Sequence, residues 1–164
     1  MRKCLEILKF PHPMLFHKCA NVTVFGEELK VLLEAMYETM INAKGLGLSA
    51  NQVSLDLNAF VMIGPKDAKM FIVNPKVISR SEVPANIFES CLSAPKEAVK
   101  LFERSQWVQV TFQDETGKTH TKTFMGIYSV CCDHEMDHLA GRSFLQSKSI
   151  DKAMRKEFAK KYGK

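Results

Sequence analysis

Apolar residues recur every three or four positions over residues 29–41, which is the spacing of one face of an α-helix. The face consists of Leu29, Leu32, Leu33, Met36, Tyr37, Met40 and Ile41. Acidic residues at Glu27 and Glu28 fall in the first turn, where they favour a helix start directly after Gly26. The sequence therefore predicts a helix that begins at Gly26 and ends close to Gly45.

Two later stretches also have helical periodicity. In the first, one face holds Ile127, Val130, Cys131, His134 and His138, and Gly141 fits the position after a helix end. In the second, residues 150–161, the apolar stripe holds Ile150, Met154, Phe158 and Tyr162. Lysines occupy the other faces of this last segment, so we predict a basic C-terminal helix there.

Short runs rich in β-branched and aromatic residues separate the first two predicted helices. They predict strands over residues 59–63, 70–73, 107–112 and 118–124. Residues 114–117 have the composition of a hairpin connection between the last two strands. We expect the 70–73 strand to end at Asn74-Pro75, and residues 76–88 to be irregular.

The resulting order is helix, short strands, helix, helix. It lacks the β-α alternation of a doubly wound parallel sheet. We therefore predict an α+β fold in one domain over residues 1–164, with antiparallel β-sheets packed around the central helix and with an N-terminal and a C-terminal helix.

The composition, 46% hydrophobic and 25% charged over 164 residues, is typical of a globular domain that can bury a core. No apolar run approaches the roughly 18 residues that cross a bilayer. Charges interrupt the apolar residues of Met1–Lys9, so we expect no secretory signal and a cytoplasmic or organellar location. The five cysteines form no disulfide framework, and we expect Cys4, Cys19 and Cys132 to be small apolar filler.

The net charge of +5 comes from one terminal segment. Residues 148–164 carry seven basic and two acidic residues, and the rest of the chain has 16 of each. A solvated helix accounts for this pattern. A contact with an anionic surface such as RNA is the functional alternative.

Residues 134–138 read His-Glu-Met-Asp-His, the spacing of a helical metal site. A helix advances about 100° per residue, so His134 and His138 lie one turn apart and can bind one metal ion. Glu135 stands beside the first ligand, where its carboxylate can reach a water molecule on the metal. Two half-buried histidines without metal are the alternative, but His-Glu-x-x-His followed by Gly141 favours a metal-binding helix.

A catalytic metal needs a third protein ligand from elsewhere. Metzincin-type proteases place a histidine where this chain has Phe144. Glu157 offers a carboxylate of the gluzincin kind, but it lies among lysines. Cys91 is the stronger candidate, because a thiolate is a good ligand for Fe²⁺ or Zn²⁺.

A glycine-containing stretch, Gly45–Gln52, precedes the first predicted strand. Its two glycines would let the backbone approach a ligand closely. It lacks the Lys-Ser/Thr of a phosphate-binding loop. A helix end followed by a tight strand entry explains it equally well.

Taken together, three stretches resemble the peptide deformylase family. That family has the motifs G-x-G-x-[AS]-x-x-Q, E-G-C-L-S and Q-H-E-x-D-H-L-x-G in this order. This chain has G-L-G-L-S-A-N-Q at 45–52, E-S-C-L-S at 89–93 and D-H-E-M-D-H-L-A-G at 133–141. The similarity extends from about Leu5 to Ser149.

The resemblance implies a metal-dependent hydrolase of the deformylase fold that removes the N-formyl group from the formylmethionine of new polypeptides, with formate as product. It implies Cys91, His134 and His138 as metal ligands and Glu135 as acid and base. The Gln52 side chain and the Leu92 backbone N–H become the donors to the developing oxyanion. The implied metal is Fe²⁺, with Zn²⁺ or Ni²⁺ as alternatives.

The resemblance also implies a substrate pocket. Its members in this chain are Leu46, Gly47, Glu89, Ile127, Val130 and Cys131. These side chains are mostly apolar, as the methionine thioether requires. A family arginine falls near Arg104, after a shift of one residue.

Two residues depart from the family pattern. Ser90 replaces the glycine before the cysteine, which adds strain only if that backbone needs a positive φ. Asp133 replaces the glutamine before the first histidine, where it either alters the electrostatics of the site or faces solvent.

Two other functions are compatible with parts of the pattern. A zinc peptidase would use Glu157 as its third ligand. A catalytically weak or inactive deformylase-like protein would bind metal or peptide only, and Ser90 and Asp133 motivate it. The basic helix at 150–161 further suggests binding to the ribosome, as the family often does.

Overall fold

The computed structural model describes residues 4–96, 98, 100, 101, 103–142, 156 and 160. Within this part the chain forms two α-helices, α1 (Glu27–Asn42) and α2 (Ile127–Leu139). The strands are β1 (Gly47–Ser49), β2 (Ala59–Ile63), β3 (Lys69–Arg80), β4 (Pro84–Ala85), β5 (Phe88–Glu89), β6 (Lys100–Leu101), β7 (Arg104–Ser105), β8 (Trp107–Gln113) and β9 (Thr119–Met125). Short 3-10 turns lie at Pro13–Phe16, Ala50–Val53 and Pro65–Asp67.

The strands form one large and two small antiparallel sheets. The large sheet has five strands in the order β1-β2-β3-β8-β9, and the small ones pair β4 with β7 and β5 with β6. The predicted α+β class with antiparallel sheets is confirmed. β1 lies at one edge of the large sheet, and its outer side pairs with no strand among the described residues.

Strand β2 is buried on both faces, because a helix covers each of them. Phe60 and Met62 pack in one core cluster with Cys131 and Leu139 of α2. The alternate residues Ala59 and Val61 pack in a second cluster with residues of α1, namely Leu29, Leu33, Met36 and Met40. This burial explains the unbroken apolar run over 59–63, and it makes α2 the central helix.

Helix α2 ends as the sequence predicted. Gly141 has φ +72°, and its N–H donates to the His138 carbonyl while the Arg142 N–H donates to the Asp137 carbonyl. These bonds form a Schellman motif, which requires a left-handed residue after the helix. A Cβ on Gly141 would lie 2.5 Å from the Phe16 carbonyl oxygen, so no other residue fits without movement.

The predicted end of a strand at Asn74-Pro75 is wrong, because β3 continues to Arg80 through a bulge. Asn74 has φ +49°, a conformation that asparagine tolerates, and the register with β8 shifts between Val73 and Lys76. The Asn74 side chain bonds to both backbone groups of Val22 and to the Gln113 side chain. The bulge therefore accommodates Pro75, which has no N–H. Residues 76–88 accordingly contain strands.

The predicted C-terminal helix at 150–161 lies outside the described residues apart from Lys156 and Lys160, both of them exposed. Phe144 and Glu157 also lie outside them. The single-domain prediction for 1–164 stays a prediction. None of the helices in the described part has the length and apolar character needed to cross a membrane.

Candidate metal centre and surrounding cavity

Three side chains from two distant segments converge at α2. The Nε2 atoms of His134 and His138 are 3.2 Å apart, and the Cys91 Sγ is 3.2 Å from the His138 Nε2. All three potential ligand atoms lie within 4.8 Å of one another. Both histidines are buried and Cys91 is half-buried. The three residues predicted as metal ligands are therefore brought together.

This donor set fits a divalent ion. Two nitrogen atoms bound about 2.1 Å from one tetrahedral ion would lie about 3.4 Å apart, close to the separation observed. One thiolate and two imidazoles suit both Fe²⁺ and Zn²⁺. A fourth protein ligand is not needed, because catalytic sites keep one coordination position for water or substrate.

The electrostatics of the cluster favour an ionised thiol. Burial alone would raise the pKa of Cys91, but the adjacent His138 and His134 hold that pKa well below its usual range. Burial would conversely lower the pKa of His134, and the negative Cys91 and Glu89 raise it overall. A thiolate is the form that binds metal.

A carboxylate fixes the orientation of the first histidine. Glu89 accepts from the His134 Nδ1 at 2.8 Å, and Arg104 donates to both carboxylate oxygens of Glu89 at 2.9 and 3.0 Å. Arg104 also donates to Asp137 at 2.6 Å. Despite burial, which alone would raise it, the pKa of Glu89 is lowered by His134 and Arg104. The Nε2 of His134 is thereby directed at the metal position.

Glu135 lies deep in the same region. Its side chain is buried, and its Oε2 has no hydrogen-bond partner among the described residues. Burial raises the pKa of Glu135, partly offset by the two histidines. The backbone of Gly47 passes directly alongside, and a Cβ there would lie 2.7 Å from the Glu135 Oε1. A glycine at position 47 is therefore needed for the backbone to lie this close to Glu135. Of the two interpretations of the Gly45–Gln52 stretch, this supports the one in which glycine allows a close backbone approach.

Gln52 and Leu92 both lie next to Cys91, Gln52 through its side chain and Leu92 as the following residue. The Gln52 Oε1 accepts from the Ser49 N–H at 2.9 Å, which turns its Nε2 towards the Ser93 Oγ at 3.0 Å and the Cys91 Sγ at 3.7 Å. The Leu92 N–H donates to no acceptor within the part of the chain described. Both are hydrogen-bond donors beside the sulfur atom.

A cavity of about 220 Å³ joins these groups. The predicted reactive residues that line it are Gln52, Cys91, Leu92, His134 and Glu135. The predicted substrate residues that line it are Leu46, Gly47, Glu89, Ile127, Val130 and Cys131. His138 lies behind them against Cys91. Exposed Phe88 and Ile127 and the charged Lys44 stand at its walls.

Neither departure from the family motifs disturbs this arrangement. Ser90 is exposed and its φ is not positive, so serine adds no strain there. Asp133 is buried, with Arg80 nitrogen atoms 3.4 Å from its carboxylate, and does not line the cavity. Burial raises the pKa of Asp133. Asp133 thus neither faces solvent nor enters the site.

The remaining cysteines separate into core and surface. Cys19 and Cys132 are core residues, and burial raises the pKa of Cys19 to about 11. Cys131 is buried at the cavity wall, as expected. The filler prediction is wrong for Cys4, which is exposed and accepts a hydrogen bond from Asn42.

Sequence reasoning missed the groups that hold the reactive residues in place. Ser49 and Ser93 orient Gln52, and Asn51 donates to the His138 carbonyl at 2.5 Å. Ser49 and Asn51 lie within the glycine-containing motif, so their proximity to Gln52 could have been predicted from the sequence. The family resemblance placed an arginine near Arg104, but nothing in the sequence predicted its pairing with Glu89.

Comparisons with known proteins identify the family to which the chain is similar. The family model described as polypeptide deformylase matches residues 4–154. The peptide deformylase of Wolinella succinogenes is 36% identical over 170 residues, covering 98% of this chain and 96% of that protein.

Solved structures are similar over the same length. The peptide deformylase from Legionella pneumophila has a TM-score of 0.87 at 30% identity, covering 98% of this chain and 96% of that one. The peptide deformylase from Ehrlichia chaffeensis in complex with actinonin has a TM-score of 0.89 at 29% identity and covers 99% of each chain. The similarity therefore extends over the fold of nearly the whole chain.

Proposed function

This chain belongs to the polypeptide deformylase family, and we propose how its own residues carry out the reaction of that family. The enzyme is a metal-dependent hydrolase that removes the N-formyl group from nascent peptides, with formate as product. The observation that carries the assignment of residues is the convergence of Gln52, Cys91, His134 and Glu135 at one cavity, with His138 directly against Cys91.

Cys91, His134 and His138 would hold the metal ion. When bound, the ion supplies Lewis acidity, which polarises a carbonyl oxygen and makes a water molecule more acidic. We propose Fe²⁺ as the native ion, with Zn²⁺ or Ni²⁺ able to replace it. The contact of Glu89 with the His134 Nδ1 supports this ligand set, because carboxylates commonly orient metal-binding histidines.

Glu135 is the proposed acid and base. Its free Oε2 accepts the proton of the attacking water molecule, and the same carboxyl group then delivers a proton to the amine that leaves. The two transfers balance, so Glu135 returns to its starting state. Its position one residue from His134 on a rigid helix supports this role.

Gln52 and Leu92 are the proposed donors to the formyl oxygen as it gains negative charge. The Gln52 Nε2 is held beside Cys91 by its contacts with Ser49 and Ser93. The Leu92 N–H belongs to the residue that directly follows Cys91. Such preorganised donors stabilise a developing charge more than water does, because they need no reorientation.

The substrate would lie against the apolar part of the cavity. The proposed contacts are Leu46, Gly47, Glu89, Ile127, Val130 and Cys131. An unbranched thioether fits between such side chains. A formyl carbon carries only a hydrogen atom, so a narrow site beside Glu135 would exclude a larger acyl group.

Anaerobic purification, metal analysis and a formate-release assay on the same sample test the proposal. We expect about one equivalent of metal and release of formate from formyl-Met-Ala-Ser, lost on chelation and restored by Fe²⁺. Stoichiometric metal without any formate release would refute the function and leave a binding protein.

We further propose that the enzyme works where formylated chains are made, in a bacterial cytoplasm or an organelle, and that residues 150–164 bind the ribosome. The excess of basic residues in that segment supports binding to RNA. Deletion of 150–164 should weaken co-sedimentation with ribosomes in a salt-sensitive way. Unchanged co-sedimentation would contradict the proposed binding of this segment to the ribosome.

A further inference from the structure

The N-terminal segment Leu8–Phe10 crosses behind the two proposed oxyanion donors. The Leu8 N–H donates to the Gln52 carbonyl at 2.8 Å, and the Phe10 N–H donates to the Ser93 carbonyl at 2.8 Å. Between them, the Lys9 Nζ donates to the Leu92 carbonyl at 2.5 Å. Three consecutive residues therefore connect the segment of Gln52 with the segment of Leu92.

These two segments have little local support of their own. Gln52 lies in a four-residue 3-10 turn, and Leu92 lies in a turn after the two-residue strand β5. They are about 40 residues apart in sequence. One direct bond, from the Gln52 Nε2 to the Ser93 Oγ, joins them, and the segment 8–10 supplies three further contacts.

We propose that Lys9 is a positioning residue for the oxyanion donors, an inference that rests on the proposed deformylase reaction. Its ammonium group makes a charge-assisted hydrogen bond to the carbonyl of the residue whose N–H is the donor. This bond restrains the rotation of the Leu92 backbone.

The restraint by Lys9 differs from the backbone bonds on either side of it. Those bonds form with any residue except proline at positions 8 and 10, whereas the bond to Leu92 requires a long cationic side chain. Lys9 is itself exposed, so its replacement should not disturb the core. Its effect on the reaction can therefore be separated from an effect on folding.

The test compares Lys9→Met with a matched control, Lys96→Met. Both lysines line the same small surface pocket beside Ser93 and Pro95. Lys96 makes no hydrogen bond or ion pair among the described residues. The two variants thus remove the same charge from the same pocket, but only Lys9→Met removes a contact with Leu92.

We expect Lys9→Met to lower kcat about tenfold at unchanged KM and metal content, less than the 10²–10³ that loss of an oxyanion donor costs. Lys9→Arg should restore most of the rate, and Lys96→Met should match the wild type. Equal rates for Lys9→Met and the wild type, or an equal loss in Lys96→Met, would overturn the proposal.

A second readout does not depend on turnover. The amide resonance of Leu92 in a ¹⁵N–¹H NMR spectrum should shift and exchange faster in Lys9→Met, but not in Lys96→Met. An unchanged Leu92 amide would overturn the proposal even if the rate fell. Absence of formate release by the wild type would instead refute the proposed function, and the amide measurement would still decide the role of Lys9.

Discussion

The two sides of the cavity are built in different ways. On one side, the single helix α2 supplies His134, Glu135 and His138, and the helical repeat sets their mutual positions. On the other side, Gln52 and Leu92 come from separate short turns. Gln52 bonds to Ser49 within its own turn and to Ser93 beside Leu92, and the segment Leu8–Phe10 contacts both turns from elsewhere in the chain.

The two sides therefore differ in what fixes the positions of their side chains. A helix carries its own geometry, so a change of one side chain should leave its neighbours in place. A pair of turns held by contacts with other residues has no such independence. Substitution of those residues should therefore change the positions of the two proposed donors, Gln52 and Leu92. The following variants test this contrast, from the largest expected effect to the smallest.

Glu135→Gln tests the helical side. It keeps the shape of the side chain but removes the proton acceptor, so we expect kcat to fall by about 10²–10⁴. Metal content should be unchanged, because the helix holds both histidines independently. Formate release and metal analysis measure the two effects, and a loss of metal together with activity would break the contrast.

Gln52→Ala tests the assembled side. Loss of one oxyanion donor should lower kcat by about 10²–10³ with little change in KM. Ser93→Ala leaves Gln52 present but removes its acceptor, so it should give a smaller loss of the same kind. A Ser93→Ala variant with the full wild-type rate would show that Gln52 needs no outside support.

Glu89→Gln asks whether the helical side is fully independent. It weakens the contact with the His134 Nδ1 and with Arg104, and we expect metal affinity to fall by about 10–100-fold. Asp137→Asn is the matched control, since Asp137 contacts Arg104 but not the histidine. Titration with a competing chelator measures both, and equal losses would argue against a direct role for Glu89.

Asp114→Asn, in the turn between β8 and β9, should have the smallest effect. Desolvation alone would raise the pKa of Asp114, but bonds from Thr116, His120 and Lys118 lower it well below its usual value. A carboxyl with a lowered folded-state pKa stabilises the fold above its unfolded-state pKa, and this stabilisation is lost as the pH falls.

We therefore expect Asp114→Asn to lower the Tm by a few degrees at pH 7, and the difference to shrink below about pH 4. Formate release should be unaffected, because this turn contacts neither side of the cavity. Calorimetry from pH 7 to pH 3 measures the trend. A difference that grows as the pH falls would contradict the assigned sign.

The contrast also governs what the sequence could predict. The periodicity of α2 and the spacing of His134 and His138 are local, so the helix, its end at Gly141 and the histidine pair followed directly. Cys91 was predicted from its chemistry and by resemblance, since no local pattern joins it to His138, 47 positions away. The links from Arg104 to Glu89 and from Lys9 to Leu92 leave no periodic signal.

The errors have the same origin. Asn74-Pro75 is a strand-ending pair by local rules, but the Asn74 side chain replaces lost backbone bonds through Val22, over 50 residues away. Cys4 is apolar by type, but it lies on the surface. In both cases tertiary contacts, which a single sequence does not display, outweighed local preference.

The outer edge of β1 has a consequence for the range of proteins that this enzyme can serve. Gly47 offers no side chain, only main-chain groups, next to the Glu135 carboxylate. An extended polypeptide at that edge would be held through amide groups that every polypeptide shares. Such recognition is indifferent to downstream sequence, which suits an enzyme whose clients are a whole proteome.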